Sequence, residues 1–420
     1  LSAAWRSELT WLAVTDIMDG ASCSQARTSG VRKGLPLASP SMLTMEETAL
    51  AYRGYNITNL GRTGELLAIP RYRPILEDEL NRFSAYCSEY VDYSADLVKR
   101  VETQSDTTLA HYEAAISLIM ATEVAQVRLL SEVHGVEVNR AKLAFGYSLG
   151  ELTALGCGGM FNLEDLIRIP LAMARDCVEL AENAFMGVLF SRGPKIDEEQ
   201  VVRLCLKVTS EGQGTIGVSA ILSPNSMLLI GQHDTVERFR EVMYELLPHK
   251  AHLRINSYQW PPRHTAIVRQ RQIPDRASVL METMQGGVVP PCPPLVSLAT
   301  GQMSYDDHSA QEVLRKWIDH PQRLWDGVMR TLSLKADTVL HIGPEPNLIP
   351  ATFRRLSENV EQQTTGSSIG SLRMRAVSGL ARRPWLASLL PANTALLRAP
   401  QVQHVILEDW LIENAPDSQN

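Results

Sequence analysis

The sequence predicts an α/β fold with a parallel sheet, interrupted by a ferredoxin-like unit. Three observations carry that prediction. Short apolar runs alternate with longer stretches of helical periodicity. A Gly-x-Ser-x-Gly corner at Gly146 to Gly150 joins one such run to one such stretch. Between Phe185 and Asn256 the pattern turns to β-α-β-β-α and closes on an apolar run at Ala251 to Ile255, the ferredoxin-like arrangement.

Taken in order, residues 1–47 pair an amphipathic stretch (Trp5 to Ile17) with a Ser/Gly/Pro-rich run (Gly20 to Ser41) and read as an N-terminal extension without an assigned role. Thr48 to Tyr52 reads as a first strand. The glycine turn after it, Arg53-Gly54-Tyr55-Asn56, sits where an α/β sheet offers backbone amides to a ligand. Apolar positions three and four apart predict helices over 76–100 and 109–134. Leu143 to Phe145 is a strand, and a helix starts at Leu149. Asn162 is positioned to cap a helix reaching Ala184. Strands are expected at 186–190, 215–222 and 226–230, with helices at 197–211 and 234–247. The core then resumes with a helix over 264–285, a strand at 294–299, a helix over 309–333, a strand at 338–342, and a turn and helix through Leu356. Residues 358–376 read as a linker, and two apolar patches near the end (385–390, 405–411) read as docked helices or an edge strand. The expected organisation is an extension (1–47), a core (48–184 with 257–360), the insert (185–256) and a C-terminal extension (361–420).

Composition excludes several function classes. With 40 basic and 47 acidic residues the net charge is -7, and no basic stripe forms, so nucleic acid is not an expected partner. No apolar run reaches the roughly 20 residues that span a bilayer, and no signal peptide opens the chain, so a soluble, cytoplasmic protein is expected. The six cysteines (23, 87, 157, 177, 205 and 292) are scattered, which argues against a zinc site or disulfide framework and predicts reduced thiols. The chain opens on Leu1 rather than methionine, which suggests a trimmed or processed end.

Chemistry concentrates at Ser148. A tight strand-to-helix turn would hold its hydroxyl off the core, and the Leu149 amide at the helix start would point at any oxyanion formed there. A serine nucleophile also needs a base. Among ten histidines, His264 has the most suggestive setting, in Trp260-Pro261-Pro262-Arg263-His264-Thr265-Ala266, where a proline-stiffened loop meets a helix start. Spacing alone leaves surface or core histidine as the alternative.

Three segments in order, Gly146-Tyr147-Ser148-Leu149-Gly150-Glu151, Pro261-Pro262-Arg263-His264-Thr265-Ala266 and His341-Ile342-Gly343-Pro344-Glu345, resemble the signatures of the malonyl-CoA:acyl carrier protein transacylase family over residues 48–360. The resemblance implies an α/β-hydrolase-like core with an inserted subdomain. It also implies ping-pong transfer of an acyl group from acyl-CoA, through an acyl-serine, to the phosphopantetheine thiol of an acyl carrier protein, with no tightly bound cofactor and no metal. Position by position, Ser148 matches the nucleophile and His264 its base. Leu149 and Tyr55 match the two oxyanion amides, Tyr55 standing where the family has glutamine. The family orients its histidine by a main-chain carbonyl from an NPVQW-like segment; Asp319 to Trp325 is the counterpart, with Arg323 at the glutamine position. Tyr147 replaces the family's histidine before the serine. Where malonyl-specific members carry arginine, 25 residues past the serine, this chain has Met173. Arg175 lies two residues on, about 200° around a helix. Tyr147 and Met173 are thus expected to line an acyl pocket suited to an uncharged chain. Glu151 is expected to cap or pair near the corner, and exposed Arg263, Arg269 and Arg271 to meet an acidic carrier protein. The competing readings are a serine esterase or thioesterase, whose base would need an Asp or Glu such as Asp176 or Asp197, and a non-catalytic carrier-protein or acyl-chain binding module, suggested by Tyr55 and Met173.

Overall fold

The computed structural model describes residues 44–364, 384–390 and 393–416. The stretch Trp5 to Ile17, the run Gly20 to Ser41, Cys23 and most of the expected linker lie outside the described residues. The strands are β1 (Thr48–Tyr52), β2 (Leu143–Gly146), β3 (Ala184–Ser191), β4 (Ile216–Ser223), β5 (Ser226–Gln232), β6 (Ala251–Gln259), β7 (Leu295–Val296), β8 (Thr338–Ile342) and β9 (Gln403–Ile406). The helices that position the site are α1 (Arg73–Ser88), α2 (Tyr112–Glu132), α3 (Leu149–Cys157), α4 (Leu163–Ala172), α5 (Ala174–Ala181), α6 (Glu198–Ser210), α7 (Thr235–Val242), α8 (Ala310–Asp319), α9 (Leu324–Ser333), α10 (Leu348–Thr364) and α11 (Leu407–Glu413).

One sheet is fully parallel, in the order β7-β2-β1-β8-β9. Its central strand explains itself. All five residues of β1 are buried, as expected of a parallel strand covered on both faces. Leu50 and Tyr52 pack with α1, α2 and α3, while Ala49 and Ala51 pack with Phe145, Val339 and Phe353 on the opposite side. Each fully buried leucine or phenylalanine contributes about 1.5–3 kcal/mol by leaving water. The helix segment Leu109–Glu132 is the one among the described residues long and apolar enough to cross a membrane, and 83% of its most apolar window is buried within the protein. It forms the spine of the first layer.

The second sheet is antiparallel in the order β4-β5-β3-β6. With α6 and α7 on one face it is the ferredoxin-like unit, in the chain order β3-α6-β4-β5-α7-β6. Its other face, through Met186, Val188, Ala220, Leu222 and Leu228, packs into the same cluster as Ala49, Ala51 and Phe145. The insert therefore covers one side of the parallel sheet.

Several expected continuous helices are broken, each for a local reason. The run over 76–100 splits because Asp96 caps a new helix, its carboxylate accepting from Lys99 N at 2.8 Å. The run from Asn162 ends α4 before Met173 and restarts as α5, with Pro170 inside the first piece; Asn162 sits at the helix start but its side chain makes no capping bond. The run over 264–285 is a 3-10 turn and a helix separated by Gln272 at φ 53°. The run over 309–333 is interrupted at His320–Arg323, where Pro321 offers no N–H to continue the ladder. The apolar patch expected over 405–411 to dock as a helix or an edge strand supplies both: β9 pairs in register with β8 and completes the parallel sheet, and α11 follows it.

Candidate active site

The elbow is built as its glycines require. A side chain at Gly146 would fall 2.0 Å from the Gly150 carbonyl carbon, and one at Gly150 would fall 2.4 Å from the Arg53 carbonyl oxygen. Only backbone fits between β1, β2 and α3. Ser148 is held at φ 55° and ψ -114°, a region that costs a non-glycine residue about 1–3 kcal/mol and persists only where neighbours enforce it. Two neighbours do. Trp317 Nε1 donates to the Ser148 carbonyl at 2.8 Å, and Gln322 Oε1 accepts the Ser148 N–H at 2.9 Å.

His264 reaches the serine from the loop after β6, its Nε2 2.7 Å from Ser148 Oγ. The other ring nitrogen, Nδ1, lies 2.8 Å from the Trp317 carbonyl oxygen, and the His264 N–H donates to the Ile318 carbonyl at 3.1 Å. Both carbonyls belong to the last turn of α8, where helix oxygens lack intrahelical partners. Because a carbonyl only accepts, Nδ1 carries the proton and Nε2 presents its lone pair to the serine hydroxyl. The 3.3 Å approach of Gln322 Nε2 to the same Nδ1 is then a contact between two donors. Burial, followed by the charge of Arg263, pushes His264 down to about 3, so the ring is a neutral base.

The oxyanion side follows the same logic. Gly54 lies against the elbow; a side chain there would fall 2.6 Å from the Tyr147 carbonyl oxygen and 3.2 Å from Ser148 Cβ. The next amide, Tyr55 N, and Leu149 N at the start of α3 donate to no carbonyl among the described residues. Arg53 braces the turn from below: Nε donates to the Gly54 carbonyl and Nη2 to Asn59 Oδ1. The cavity over Ser148 is lined by Tyr55, Tyr112, Tyr147, Trp260, Arg263 and Asn347, among others. Tyr55 stacks edge-on against Tyr112 and Trp260, with centroids 4.9 and 5.5 Å apart.

Three sequence expectations change. Arg323 does not orient His264: its N–H donates to the Leu298 carbonyl and its guanidinium pairs with Asp326 and Glu198. Trp317 holds that place because the loop carrying His264 docks on the end of α8. Met173 is 2% exposed in the core but is not among the cavity-lining residues, whereas Tyr147 is. Arg175 points outward, its side chain 86% exposed. Arg263 is no surface residue; it is 6% exposed and enters the cavity wall, while Arg269 and Arg271 remain exposed and paired with Asp319 and Glu179. Glu151 is buried and accepts from Leu298 N and Tyr305 Oη, and burial raises it to about 7.

Gln322 was not legible as a site residue. It lies within Asp319 to Trp325, the segment matched to the family's histidine-orienting stretch, one residue before the Arg323 set at the glutamine position. The bond from Ile221 N to the Gln322 carbonyl and that from Gln322 N to the Ser219 carbonyl, at 2.8 and 2.9 Å, zip its loop onto the edge of β4. The ferredoxin-like unit thereby positions it. No group of three or more His, Cys, Asp or Glu among the described residues could hold a metal.

No protein-family profile matches the chain. It is 24% identical over 227 residues to the polyketide synthase GfsA of Streptomyces halstedii and 26% identical over 185 residues to the highly reducing polyketide synthase curS1 of Aspergillus terreus. Those matches cover 54% and 43% of this chain but only 3% and 7% of the synthases, so the chain spans a small part of its curated relatives. Among solved structures, MCAT from Streptococcus pneumoniae superposes with a TM-score of 0.59 at 19% identity, over 73% of this chain and 92% of that one. FabD from Acinetobacter baumannii gives 0.58 at 16%, over 74% and 91%. A malonyl-transacylase solved with its type II polyketide acyl carrier protein gives 0.55 at 20%, over 73% and 92%. The resemblance carried by the elbow and histidine motifs therefore extends to the fold of 73–74% of this chain, which is shared with malonyl-CoA:acyl carrier protein transacylases and a polyketide synthase acyltransferase domain.

Proposed function

We propose that this chain is an acyltransferase that moves an acyl group from an acyl-CoA to the phosphopantetheine thiol of an acyl carrier protein through an acyl-Ser148. The observation that carries the reading is the 2.7 Å contact of Ser148 Oγ with a His264 whose other nitrogen is tied to a carbonyl. As Ser148 Oγ attacks the thioester carbon, its proton passes to His264 Nε2, and the Leu149 and Tyr55 amides hold the oxyanion. Collapse expels the CoA sulfur, which takes the proton back from Nε2. The carrier thiol then gives its proton to Nε2, attacks the acyl-serine and returns the hydroxyl to Ser148. Coenzyme A and phosphopantetheine enter as substrates, and the chain needs no resident cofactor. Such chemistry operates where CoA thioesters are available, which fits a cytoplasmic setting.

Two alternatives are weaker. A triad hydrolase would orient its base with a carboxylate, yet His264 Nδ1 rests on the Trp317 carbonyl and Asp176 pairs with Arg276. A binding-only module would have no use for a buried Ser-His contact beside two unpaired amides. As to the acyl group, Met173 removes one reason to expect a carboxylate on it; Arg263, in the cavity wall, supplies another from a different place in the chain. The test is intact-mass spectrometry of the chain with acyl-CoA, followed by a carrier protein bearing phosphopantetheine. Acylation that disappears in Ser148→Ala and transfers to the carrier supports the reading; release only to water replaces it with hydrolysis.

A further inference from the structure

We propose that Arg53 tunes the oxyanion site: by donating to the Gly54 carbonyl, its guanidinium aims the Tyr55 N–H of the same peptide unit at the acyl oxygen and strengthens it as a donor. The inference rests on the acyl-Ser148 reading. It adds a positioning residue to that reading, and a use for the Gly343-Pro344 turn.

The Gly54–Tyr55 peptide is trans. Its N–H and C=O therefore point in opposite directions, so whatever holds the Gly54 oxygen also fixes where Tyr55 N aims. Arg53 Nε holds that oxygen at 2.8 Å. The peptide after Tyr55 is fixed from the same source. Asn56 N donates to Asn59 Oδ1 at 3.1 Å, and the same oxygen takes Arg53 Nη2 at 2.9 Å. One guanidinium thus brackets Tyr55 on both sides, while Tyr55 N itself donates to no carbonyl among the described residues.

Arg53 is 1% exposed, and each of its side-chain hydrogen bonds ends on a neutral oxygen: the Gly54, Pro344 and Thr58 carbonyls and the Asn59 amide. A guanidinium stays charged, and a hydrogen bond from an ionised donor is roughly twice as strong as a neutral one. Such a bond draws electron density through the amide toward the Gly54 oxygen and leaves the Tyr55 N–H more positive, the polarisation that runs along hydrogen-bonded chains in a low dielectric. The carboxyl with the largest electrostatic effect on Arg53 does not cancel its charge: burial raises Glu123, on α2, to about 8, so it is protonated at neutral pH. Seating this side chain requires a glycine opposite it. At Gly343, held at φ 107°, a Cβ would fall 2.6 Å from Arg53 Cγ, and the next residue, Pro344, offers its carbonyl to Nη1. None of the residues His341 to Glu345 lines the cavity. Their turn acts on the reaction through the arginine that it holds.

The experiment reads the acyl-serine itself. Ser148 is loaded from whichever of acetyl-CoA and malonyl-CoA the wild-type chain accepts faster, isotope-labelled at the thioester carbonyl. The ester C=O stretch is then recorded by isotope-edited infrared spectroscopy, beside the single-turnover acylation rate. A carbonyl held by stronger donors vibrates at lower frequency. In Arg53→Met the band is expected to shift upward, and the rate at saturating thioester to fall about 10²–10³-fold, the loss typical of one oxyanion donor, with KM little changed. Arg53→Lys should fall in between, because it keeps the charge without the planar fork. A slow Arg53→Met whose band stays at the wild-type frequency, or a folded Arg53→Met with the wild-type rate, overturns the inference and leaves acyl transfer standing. A wild-type chain that neither thioester loads removes the acyl-transfer reading and this inference with it. If Arg53→Met does not fold or does not load, Arg53→Lys decides: a raised band supports the inference, and a wild-type band overturns it.

Discussion

Gln322 Oε1 accepts the Ser148 N–H at 2.9 Å while the backbone of Gln322 is hydrogen-bonded on both sides to β4, through Ser219 and Ile221. One residue thus ties the strained elbow to the inserted sheet. Removing its side chain leaves a buried N–H unsatisfied, at about 1–3 kcal/mol, and releases the serine from its enforced φ. Gln322→Ala should lower Tm by several degrees and slow Ser148 acylation roughly 10–100-fold with little change in KM. Thermal melts and single-turnover mass spectrometry check this; wild-type acylation in a folded Gln322→Ala would show that Trp317 alone sets the elbow.

The parts of this site that the sequence exposes are local. Gly146, Ser148 and Gly150 are close neighbours in the chain, and the clash at each glycine is set by atoms of the same turn or of β1. Gln322 and Trp317 act across the fold; the resemblance marks the segment Asp319 to Trp325 but sets Arg323 rather than Gln322 at the glutamine position, and the periodicity of 309–333 runs straight through the Pro321 break. Arg263 looked like a surface charge because arginine usually is one. Its partners, Pro170, Tyr112 and Trp317, come from three separate helices. The patch at 405–411 reads equally as a docked helix or an edge strand because β9 is only partly buried, so its alternation is faint and its pairing depends on a distant partner.

The pH profile tests the environment of the base. Burial and then the Arg263 charge bring His264 from 6.5 to about 3. A base held low remains deprotonated as pH falls through the usual histidine range. Acylation from acetyl-CoA, which places no charge on Arg263, should therefore keep its rate from pH 7.5 to about 5.5. A half-loss near pH 6.5, in protein shown to be folded by circular dichroism, would mean that His264 is solvated and ordinary.

Gly54 offers a steric test of the oxyanion amides. A methyl group there meets the Tyr147 carbonyl oxygen at 2.6 Å, backbone that cannot swing away, so Gly54→Ala must push the turn carrying Tyr55 N off the elbow. Loss of one oxyanion donor typically costs about 10²–10³ in kcat. Gly64→Ala is the control: its nearest neighbour would be 3.6 Å away, and the position is helical, so unchanged acylation and equal or higher Tm are expected. Equal behaviour of the two variants would exclude Tyr55 N from the oxyanion site.

The C-terminal segment carries a pH-dependent contribution to stability. Glu408, on α11, accepts from Arg62 N at 3.0 Å and from Glu345 N at 3.1 Å, so it pins the turn that leads to the cavity residue Asn347. Burial raises both Glu345 and Glu408 from 4.5 to about 7. Their folded pKa exceeds the unfolded one, so the folded chain holds these protons more tightly. That stability is complete below pH 4.5 and is lost as pH rises through 7, at up to about 1.4 kcal/mol per proton per pH unit. Buried His341 and His404 act oppositely: burial lowers both, His404 to about 4, and their contribution is lost only as pH falls below 6.5. The two sets offset one another on the acid side and leave the carboxyls alone above it. Tm should therefore be nearly level from pH 5 to 6.5 and decline from 6.5 to 8, and Glu345→Gln should flatten that decline. A Tm that rises over pH 6.5 to 8 would mean these carboxyls are already ionised in the folded chain, with Arg53 as their partner.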